Sequence, residues 1–529
     1  MLISHPYSGG RAPVLARNAV ASSQPLATQA GIEALQNGGN AVDAALATAI
    51  TLNVVEPTMN GIGGDAFAIL WDGKKLHGLN ASGRAPAAWT PEYFAGKTSM
   101  DLIGWNTVTV PGMVAGWIEL SRKFGKLPFA QLFKRAIDYA ENGFPVSPVI
   151  ARQWREAVPI LKNQPGFSES FLIDGKGPQA GQIWKYPAQA KTLKEIAATD
   201  GDSFYKGPLA QSMVDFAQAT GGCFTMQDFA DNKPEWVEPL AFDYGDYTLH
   251  EIPPNGSGIA AQMALGIAQA ANIKQYPANS AQRIHLQIES MRIAFADAYA
   301  HISDARSMKV PTASLLDKDY LASRAALIDH SKAGSYGPGD PHSGGTVYLC
   351  AADESGMMIS YIQSNFKGFG SGVVAPGGIA FHNRGMGFKL EAGHPNIVAP
   401  GKRPFHTILP AFLTKGGKPI MAFGVMGGNM QPQGHLQFVM RFVDEHLNPQ
   451  VCSDSPRWRI DDLGVLTVEA AMPTSVVEGL RAMGHEVAVQ PANSLDFGSA
   501  QAIAKLNDDA DSAYIAGSDH RRDGLAAGF

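Results

Sequence analysis

The sequence predicts an α+β protein in which sheets are covered by layers of helices. Segments with the helical spacing of apolar residues and segments with strand-like alternation form separate blocks along the 529 residues, which is typical of layered α+β packing. Only 17% of the residues are charged, against roughly 25% in an average soluble protein, so much of the chain is expected to be buried. The 57 glycines indicate many tight turns between these segments.

The first elements are two helices followed by a hairpin. Apolar spacing predicts a helix over 25–36, and Asn40 is expected to cap a second helix over 41–54. The many alanines of the second helix predict close packing, most simply against the face of a sheet. Strands over 66–71 and 76–80 follow, and the Asp-Gly pair between them is a strong turn signal.

The region from 91 to 304 is expected to be mostly helical. Apolar recurrence at i, i+3 and i+4 predicts helices over 112–124, 129–142, 208–220, 259–271 and 281–301. A strand over 242–252 precedes the fourth of these helices, and Ser257 is its expected N-cap.

Strands dominate after residue 346. They are predicted over 347–352, 357–364, 410–413, 420–424, 465–469 and 485–489. Helices are predicted among them over 434–445 and 475–483. Gly427 and Gly428 are expected to end the fourth of these strands.

Composition excludes several classes of protein. The formal net charge is −6 and Lys and Arg form no long block, so nucleic acid is not expected as a partner. The three cysteines have neither disulfide nor metal-ligand spacing, and neither a metal nor a cofactor is predicted. The N-terminal residues do not resemble a signal peptide, and no apolar run is long enough for a membrane span. A cytoplasmic protein without a membrane partner is the expectation.

One threonine lies at a position where it could act as a nucleophile. A Gly/Ser/Pro-rich segment over 331–345 leads directly into a β-type run that begins at Thr346. If the chain were cut between Gly345 and Thr346, the new N-terminal residue would carry both a nucleophilic hydroxyl and a free α-amine. Taken by itself, this stretch is explained more simply by a threonine that opens a strand.

A set of short motifs changes that interpretation. In chain order they are Asn37-Gly38-Gly39-Asn40-Ala41-Val42-Asp43-Ala44, Gly61-Ile62-Gly63-Gly64, Gly344-Gly345-Thr346-Val347, Gln363-Ser364-Asn365, Phe369-Gly370-Ser371-Gly372, Gly401-Lys402-Arg403-Pro404, Gly424-Val425-Met426-Gly427-Gly428, Ser455-Pro456-Arg457-Trp458 and Gly517-Ser518-Asp519-His520-Arg521. Each is weak by itself, but their order and spacing over nearly the whole chain resemble the γ-glutamyltranspeptidase-like branch of the N-terminal-nucleophile hydrolases.

The resemblance implies a fold, a cleavage and two subunits. The fold would be a four-layer αββα sandwich, made as one precursor that cuts itself before the threonine. Here the products would be a large subunit, 1–345, and a small subunit, 346–529, which would remain together as a heterodimer and could dimerise further. Gly345 and Thr346 would form the cleavage site.

The resemblance also implies catalytic roles. Thr346 would be the nucleophile, with its own α-amine as general base. Gly427 and Gly428 match the pair whose N–H groups stabilise the oxyanion, although a turn that closes a strand explains them too. Ser364 lies where the family has a hydroxyl that supports the nucleophile, and a strand serine facing solvent is the alternative.

The residues expected to bind the substrate depart from the family pattern. Gly387 falls at the position of the acidic residue that would hold a substrate ammonium, and Arg384 would repel such a group and attract a carboxylate. A solvated loop position is equally compatible with Arg384. Arg84 is displaced by two residues from the position of the carboxylate-binding arginine, yet would keep the same face of an extended segment.

Three further residues complete the predicted substrate site. His406 and Thr407 replace a pair of serines, and Asn365 adjoins the supporting hydroxyl residue. His406 could orient a substrate amide or could be a structural histidine.

These departures predict a substrate with a carboxylate but no α-amino group. The preferred hypothesis is hydrolysis of a small acid-amide, with oxamate converted to oxalate and ammonia. A γ-glutamyl hydrolase or transpeptidase, a glutaryl-type acylase and a catalytically silent, uncut binding protein are the alternatives.

Overall fold

Two seven-stranded sheets form the centre of the molecule. The computed structural model describes residues 10–336, 345–461, 464–491, 494–507 and 512–529. Sheet 1 has the strand order β1-β20-β19-β15-β14-β9-β8, and sheet 2 has the order β21-β2-β10-β11-β3-β4-β7. Three small sheets, β12-β13, β16-β17-β18 and β5-β6, lie outside them.

The bounds of the strands are as follows. They are β1 (Val14–Ala16), β2 (Ala19–Ser22), β3 (Asp65–Trp71), β4 (Leu76–Ala81), β5 (Phe144–Pro145), β6 (Ile183–Trp184), β7 (Glu235–Val237), β8 (Leu240–Tyr244), β9 (Tyr247–Glu251), β10 (Gly345–Ala352), β11 (Met358–Phe366), β12 (Val374–Ala375), β13 (Ile379–Ala380), β14 (Ala411–Lys415), β15 (Lys418–Val425), β16 (Trp458–Ile460), β17 (Leu466–Glu469), β18 (Val487–Gln490), β19 (Ala500–Lys505), β20 (Tyr514–Ser518) and β21 (Leu525–Gly528).

The α-helices are distributed over both parts of the chain. They are α1 (Pro25–Gln36), α2 (Ala41–Val55), α3 (Met113–Phe124), α4 (Lys134–Asn142), α5 (Pro148–Leu161), α6 (Phe167–Phe171), α7 (Pro187–Ala198), α8 (Asp202–Lys206), α9 (Pro208–Thr220), α10 (Met226–Ala230), α11 (Ile259–Ala270), α12 (Ala281–His301), α13 (Thr312–Leu315), α14 (Lys318–Ala325), α15 (Met430–Asp444), α16 (Pro449–Asp454) and α17 (Thr474–Ala482). Among the described residues, none of these helices combines the length and apolar character that crossing a bilayer requires.

The four-layer αββα sandwich is confirmed by the distribution of buried apolar residues. One cluster lies between the sheets and joins Phe67 and Tyr348 of sheet 2 to Phe412 and Ile503 of sheet 1. A second cluster joins the other face of sheet 2 to helices that include α2 and α3. A third joins the other face of sheet 1 to helices that include α11, α12 and α15. Each sheet therefore buries both faces.

The local sequence correctly predicted the bounds of several helices and one helix cap. Helices α1, α9 and α12 have the predicted bounds. Asn40 caps α2 through a capping box, in which its side chain and that of Asp43 satisfy backbone N–H groups at the start of the helix. The alanine-rich α2 is buried along its whole length, as its small side chains predict.

Three predictions about the elements were wrong. The single strand over 242–252 is a hairpin, β8 and β9, because the chain turns between Tyr244 and Tyr247. Helix α11 is preceded by Gly258 without a side-chain cap, and the hydroxyl of Ser257 has no hydrogen-bond partner in the described part of the chain. Helix α15 begins at Met430, four residues before the predicted start.

Candidate active site

Thr346 lies buried near the start of β10, in the middle of sheet 2. Strand β10 pairs with β2 on one side and β11 on the other. The register with β11 shifts between Gly345 and Val347, so the threonine stands at an irregularity in an otherwise continuous ladder. In the intact chain the Thr346 nitrogen is part of the peptide bond to Gly345.

Two polar side chains contact the Thr346 hydroxyl. Its Oγ1 donates to Oγ of Ser364 at 3.3 Å, and Nε2 of Gln431 donates to it at 3.3 Å. Ser364 is buried on β11 and accepts a hydrogen bond from the Phe366 N–H at 2.7 Å. The predicted neighbour of the nucleophile is therefore in contact with it, and the alternative of a solvent-facing serine is wrong.

Gln431 is the residue that the sequence did not reveal. It lies in the first turn of α15, and its Oε1 accepts the Leu409 N–H at 2.8 Å, which orients Nε2 toward Thr346. The predicted start at Gly434 left Gln431 outside this helix. The helix instead begins at Met430 with Pro432 in its first turn, where proline is tolerated because N–H groups there have no intrahelical acceptor.

Gly427 and Gly428 form the turn between β15 and α15. Both have left-handed backbone angles, with φ of 119° and 61°, which side chains other than glycine adopt at a cost. Their carbonyls accept the N–H groups of Met430 and Gln431. No described group accepts a hydrogen bond from either glycine N–H, so both donors are available to an oxyanion.

Arg384 is buried with most of its hydrogen-bonding capacity unused. Its Nη1 donates to Oγ1 of Thr407 at 2.9 Å, and its guanidinium lies 4.5 Å from the centroid of the Phe366 ring. Nε and Nη2 have no partner among the described residues. Burial lowers the pKa of Arg384 to about 9, and the charge of Asp65 opposes this shift. The alternative of a solvated loop arginine is wrong.

Asn365 adds a second unsatisfied group. It follows Ser364 on β11, is fully buried, and neither its Oδ1 nor its Nδ2 has a partner in the part of the chain that the structure describes. Buried amides without partners are costly, so such a group is a candidate to hold a polar ligand.

His406 contacts two other side chains, those of Asp65 and Phe67. Its Nε2 lies 3.1 Å from Oδ2 of Asp65, and its ring packs 4.8 Å from that of Phe67. Burial and the nearby charge of Arg384 hold the pKa of His406 well below its usual value. This placement favours the structural interpretation of His406.

Arg84 is engaged in an ion-pair cluster. It contacts the carboxylates of Glu235 and Asp304, and its Nη1 donates to the Gly401 carbonyl at 3.1 Å. Because its donors already have acceptors, Arg384 is the better candidate to bind a substrate carboxylate.

A cavity of about 240 Å³, here called the acid pocket, lies near Arg384, which is not itself one of its lining residues. The two side chains that Arg384 touches, Thr407 and Phe366, both line it, as do Gly387 and Asn429. A Cβ at Gly387 would stand 2.5 Å from the Phe405 carbonyl oxygen. An acidic side chain could not occupy this position without moving the backbone.

One group of described residues could in principle hold a metal ion. His285, Glu289 and His485 place ligand atoms within 4.8 Å of one another. The two imidazoles are 2.7 Å apart, from Nδ1 of His285 to Nε2 of His485. Two nitrogen ligands of one zinc ion would stand about 3.3 Å apart at normal bond lengths. The geometry is therefore that of a hydrogen bond.

Comparisons with known proteins identify the family of this chain. A family model described as gamma-glutamyltranspeptidase matches residues 27–529. The chain belongs to the γ-glutamyltranspeptidase family. Like other members, it is a hydrolase that acts on amide bonds.

Individual members of the family resemble the whole chain. The glutathione hydrolase-like YwrD proenzyme of Bacillus subtilis is 34% identical over 96% of this chain and 98% of its own. The oxamate amidohydrolase proenzyme of Klebsiella pneumoniae is 35% identical over 95% and 97%. The crystal structure of cephalosporin acylase from Bacillus halodurans is 42% identical, with a TM-score of 0.93 over 100% of this chain and 98% of its own.

Proposed function

We propose that the chain cuts itself between Gly345 and Thr346 and then hydrolyses the amide of a small carboxylic acid, with oxamate as the best candidate. The observation that carries the substrate class is Arg384, a buried cation with two donor atoms unpartnered among the described residues. Its neighbours line the acid pocket. A carboxylate in that pocket would give the guanidinium the acceptor that it lacks, since arginine pairs well with carboxylates.

The cleavage would use the same hydroxyl as the later reaction. Oγ1 of Thr346 attacks the Gly345 carbonyl carbon, the peptide bond to the Thr346 nitrogen breaks, and the hydroxyl proton passes to that nitrogen. Water then hydrolyses the ester, which leaves a carboxylate on Gly345 and a free amine on Thr346. Two relatives are named proenzymes, which supports this step.

In the processed enzyme the α-amine becomes the base. Its unperturbed pKa of roughly 7.7–8.0 suits proton transfer near neutral pH. As Oγ1 attacks the substrate carbonyl, the amine accepts the hydroxyl proton, and the N–H groups of Gly427 and Gly428 bind the oxyanion. The leaving amine takes that proton. Water, activated by the same amine, then hydrolyses the acyl-enzyme ester and releases the acid, so that amide and water become acid and amine.

Gly387 argues against a γ-glutamyl substrate. Such a substrate carries an ammonium next to its carboxylate, which needs an anionic partner. The only carboxylate among the described residues of the acid pocket is Glu391, which is exposed. A glutaryl-type acyl group lacks that ammonium, and the similarity to cephalosporin acylase keeps it as the second candidate.

Cleavage can be tested on a denaturing gel. The purified protein should give two chains, with Thr346-Val347-Tyr348-Leu349 at the start of the smaller one. Thr346→Ala should remain at 56.2 kDa and should have no amidase activity, whereas Thr346→Ser should retain some cleavage. Cleavage of Thr346→Ala at the same bond would show that the nucleophile is wrongly assigned.

The substrate can be tested with the processed protein. We expect ammonia from oxamate and from related acid-amides, and little nitroaniline from γ-glutamyl-p-nitroanilide. Rapid release of nitroaniline without ammonia from any acid-amide would replace this proposal with a γ-glutamyl hydrolase.

A further inference from the structure

A second cavity, about 860 Å³, is lined in part by Gly427 of the candidate oxyanion turn. We call it the amine cleft. Its lining also includes Asn383 and Gly370, and residues of α5 and of the segment that follows β18. Ammonia, the amine released from oxamate, would need only the space of about one water molecule, roughly 30 Å³. The cleft instead has the size of a site for a drug-sized molecule.

The walls of the amine cleft expose large apolar side chains. Ile160 of α5 is 64% exposed and Leu102 is 55% exposed, and both line the cleft together with Ile103 and Leu495. Adjacent exposed apolar side chains are unusual on a protein surface and mark sites where an apolar partner binds.

The described lining also has an excess of positive charge. Its cationic side chains are Arg152, Lys367, Arg459 and Arg522, and its acidic ones are Glu156 and Asp496. Arg522 is neutralised by Glu56, with Nη1 and Oε1 2.9 Å apart.

Two arginines remain suited to a ligand anion. Arg459 donates to the Asp496 carbonyl at 3.3 Å, while its buried Nε has no partner among the described residues. Arg152 is exposed on α5.

We infer that the amine cleft binds the amine half of the substrate, and that this half is a mainly apolar amine with an anionic group. The inference rests on the proposed amide hydrolysis. The acyl half would lie in the acid pocket against Arg384, and the scissile carbonyl at Gly427 and Gly428. The amine half would then extend into the cleft, between its apolar wall and Arg152 and Arg459. Oxamate would be a minimal substrate, and its N-substituted forms better ones.

The test compares three amides of one acid with the processed enzyme: the primary amide, the anilide and the 3-carboxyanilide. The two aryl amines differ in charge but little in leaving ability, so their ratio of kcat/KM reports recognition of the anion. We expect the 3-carboxyanilide to be favoured over the anilide by roughly 1.5- to fivefold, the range expected for a solvent-exposed ion pair.

Substitutions test the contact with the anionic group and the contact with the apolar wall separately. Arg152→Gln should remove most of the preference for the 3-carboxyanilide and leave the primary amide unchanged. Arg155→Gln, on the same helix and also exposed but outside the described lining of the cleft, is the matched control. Ile160→Asn should lower kcat/KM for both anilides by about fivefold or more, while Ile173→Asn, at a site 55% exposed outside that lining, should not.

Two other outcomes would contradict either this inference alone or the proposed function as well. If the primary amide is cleaved but the anilides show no preference and no response to Arg152→Gln or Ile160→Asn, the inference is wrong and the proposed function stands. If processed enzyme cleaves none of the acid-amides, both are wrong.

Discussion

The proposed chemistry of this protein centres on the hydroxyl of Thr346, which two described side chains contact. Thr346 Oγ1 has one donor in Gln431 and one acceptor in Ser364, each at 3.3 Å. This arrangement limits the rotation of the side chain and leaves oxygen electron density for attack. In the proposed function Arg384 completes the site from a separate loop, where its buried guanidinium would supply the charge that selects an acid.

Arg384→Gln should weaken the binding of acid-amides specifically. Loss of a charge-assisted contact to a carboxylate costs about 1.5–3 kcal/mol, or roughly 10- to 100-fold in kcat/KM. The measurement is kcat/KM for an acid-amide and for the corresponding neutral amide. Thr407→Val removes the hydroxyl that orients Arg384 and should give a smaller loss of the same kind. Equal losses for the acid and neutral amides would contradict the assignment.

Gln431→Leu should lower kcat more than it raises KM. The substitution removes the donor to Thr346 but keeps an apolar side chain of similar size, and one lost hydrogen bond typically costs about 1 kcal/mol, or roughly fivefold in kcat. The control is Gln433→Leu, a substitution in the same helix that removes buried hydrogen bonds to the Asn429 carbonyl and to the Ile460 carbonyl of β16. That variant should lose stability without the same loss of kcat.

At the scale of elements, the site is assembled by the junction of β15 and α15. The strand ends at Val425, the two glycines reverse the chain, and the helix begins at Met430. The same short junction therefore presents the candidate oxyanion donors and Gln431. His435, one turn further along α15, accepts the Val425 N–H at 3.2 Å and lies 2.7 Å from Glu251, which ties the helix to the end of the strand.

Gly427→Ala should combine a stability loss with a larger activity loss. At φ of 119° a Cβ costs about 1–2 kcal/mol, and a displaced oxyanion donor typically costs about a hundredfold or more in kcat. Gly416→Ala is the matched control, because Gly416 also has positive φ but lies in an open turn with no atom near its Cβ position. It should lose stability and retain activity, as measured by denaturant unfolding and by kcat. Similar activity in both variants would exclude the oxyanion role.

At the scale of the molecule, the proposed subunits share both sheets. In sheet 2, strands β10 and β11 of the part after residue 345 lie between β2 and β3 of the part before it. In sheet 1, β1 at one edge and β9 and β8 at the other belong to the first part, and the four strands between them belong to the second. A cut at 345/346 would thus leave every sheet hydrogen bond between the parts in place.

The two chains should therefore remain together after cleavage. We expect them to elute as one species in size-exclusion chromatography, at low and at high salt, because backbone hydrogen bonds and buried apolar contacts hold them. They should separate only at denaturant concentrations that also abolish the circular dichroism of the sheets. Separation in native buffer would contradict the shared sheets.

The sequence alone determined the features that depend on neighbouring residues. The glycine pair, the hairpins and the threonine at the start of a buried strand follow from local backbone preferences and from apolar spacing. These sufficed for the α+β layers. Thr346, Ser364, Gly427 and Gly428 became a candidate set only because the order of the short motifs resembles the γ-glutamyltranspeptidase-like family.

Only the tertiary structure decided which distant side chains meet. Thr346 contacts Ser364 at a separation of 18 positions and Gln431 at a separation of 85. The sequence does not distinguish the environment of Arg84 from that of Arg384. In the structure Arg84 lies among carboxylates, whereas Arg384 is buried near the acid pocket. His406 contacts Asp65, which is 341 positions away in the chain. Such pairings depend on the order of strands in the two sheets, which local preferences do not specify. They decide which charged side chains lie at the candidate site.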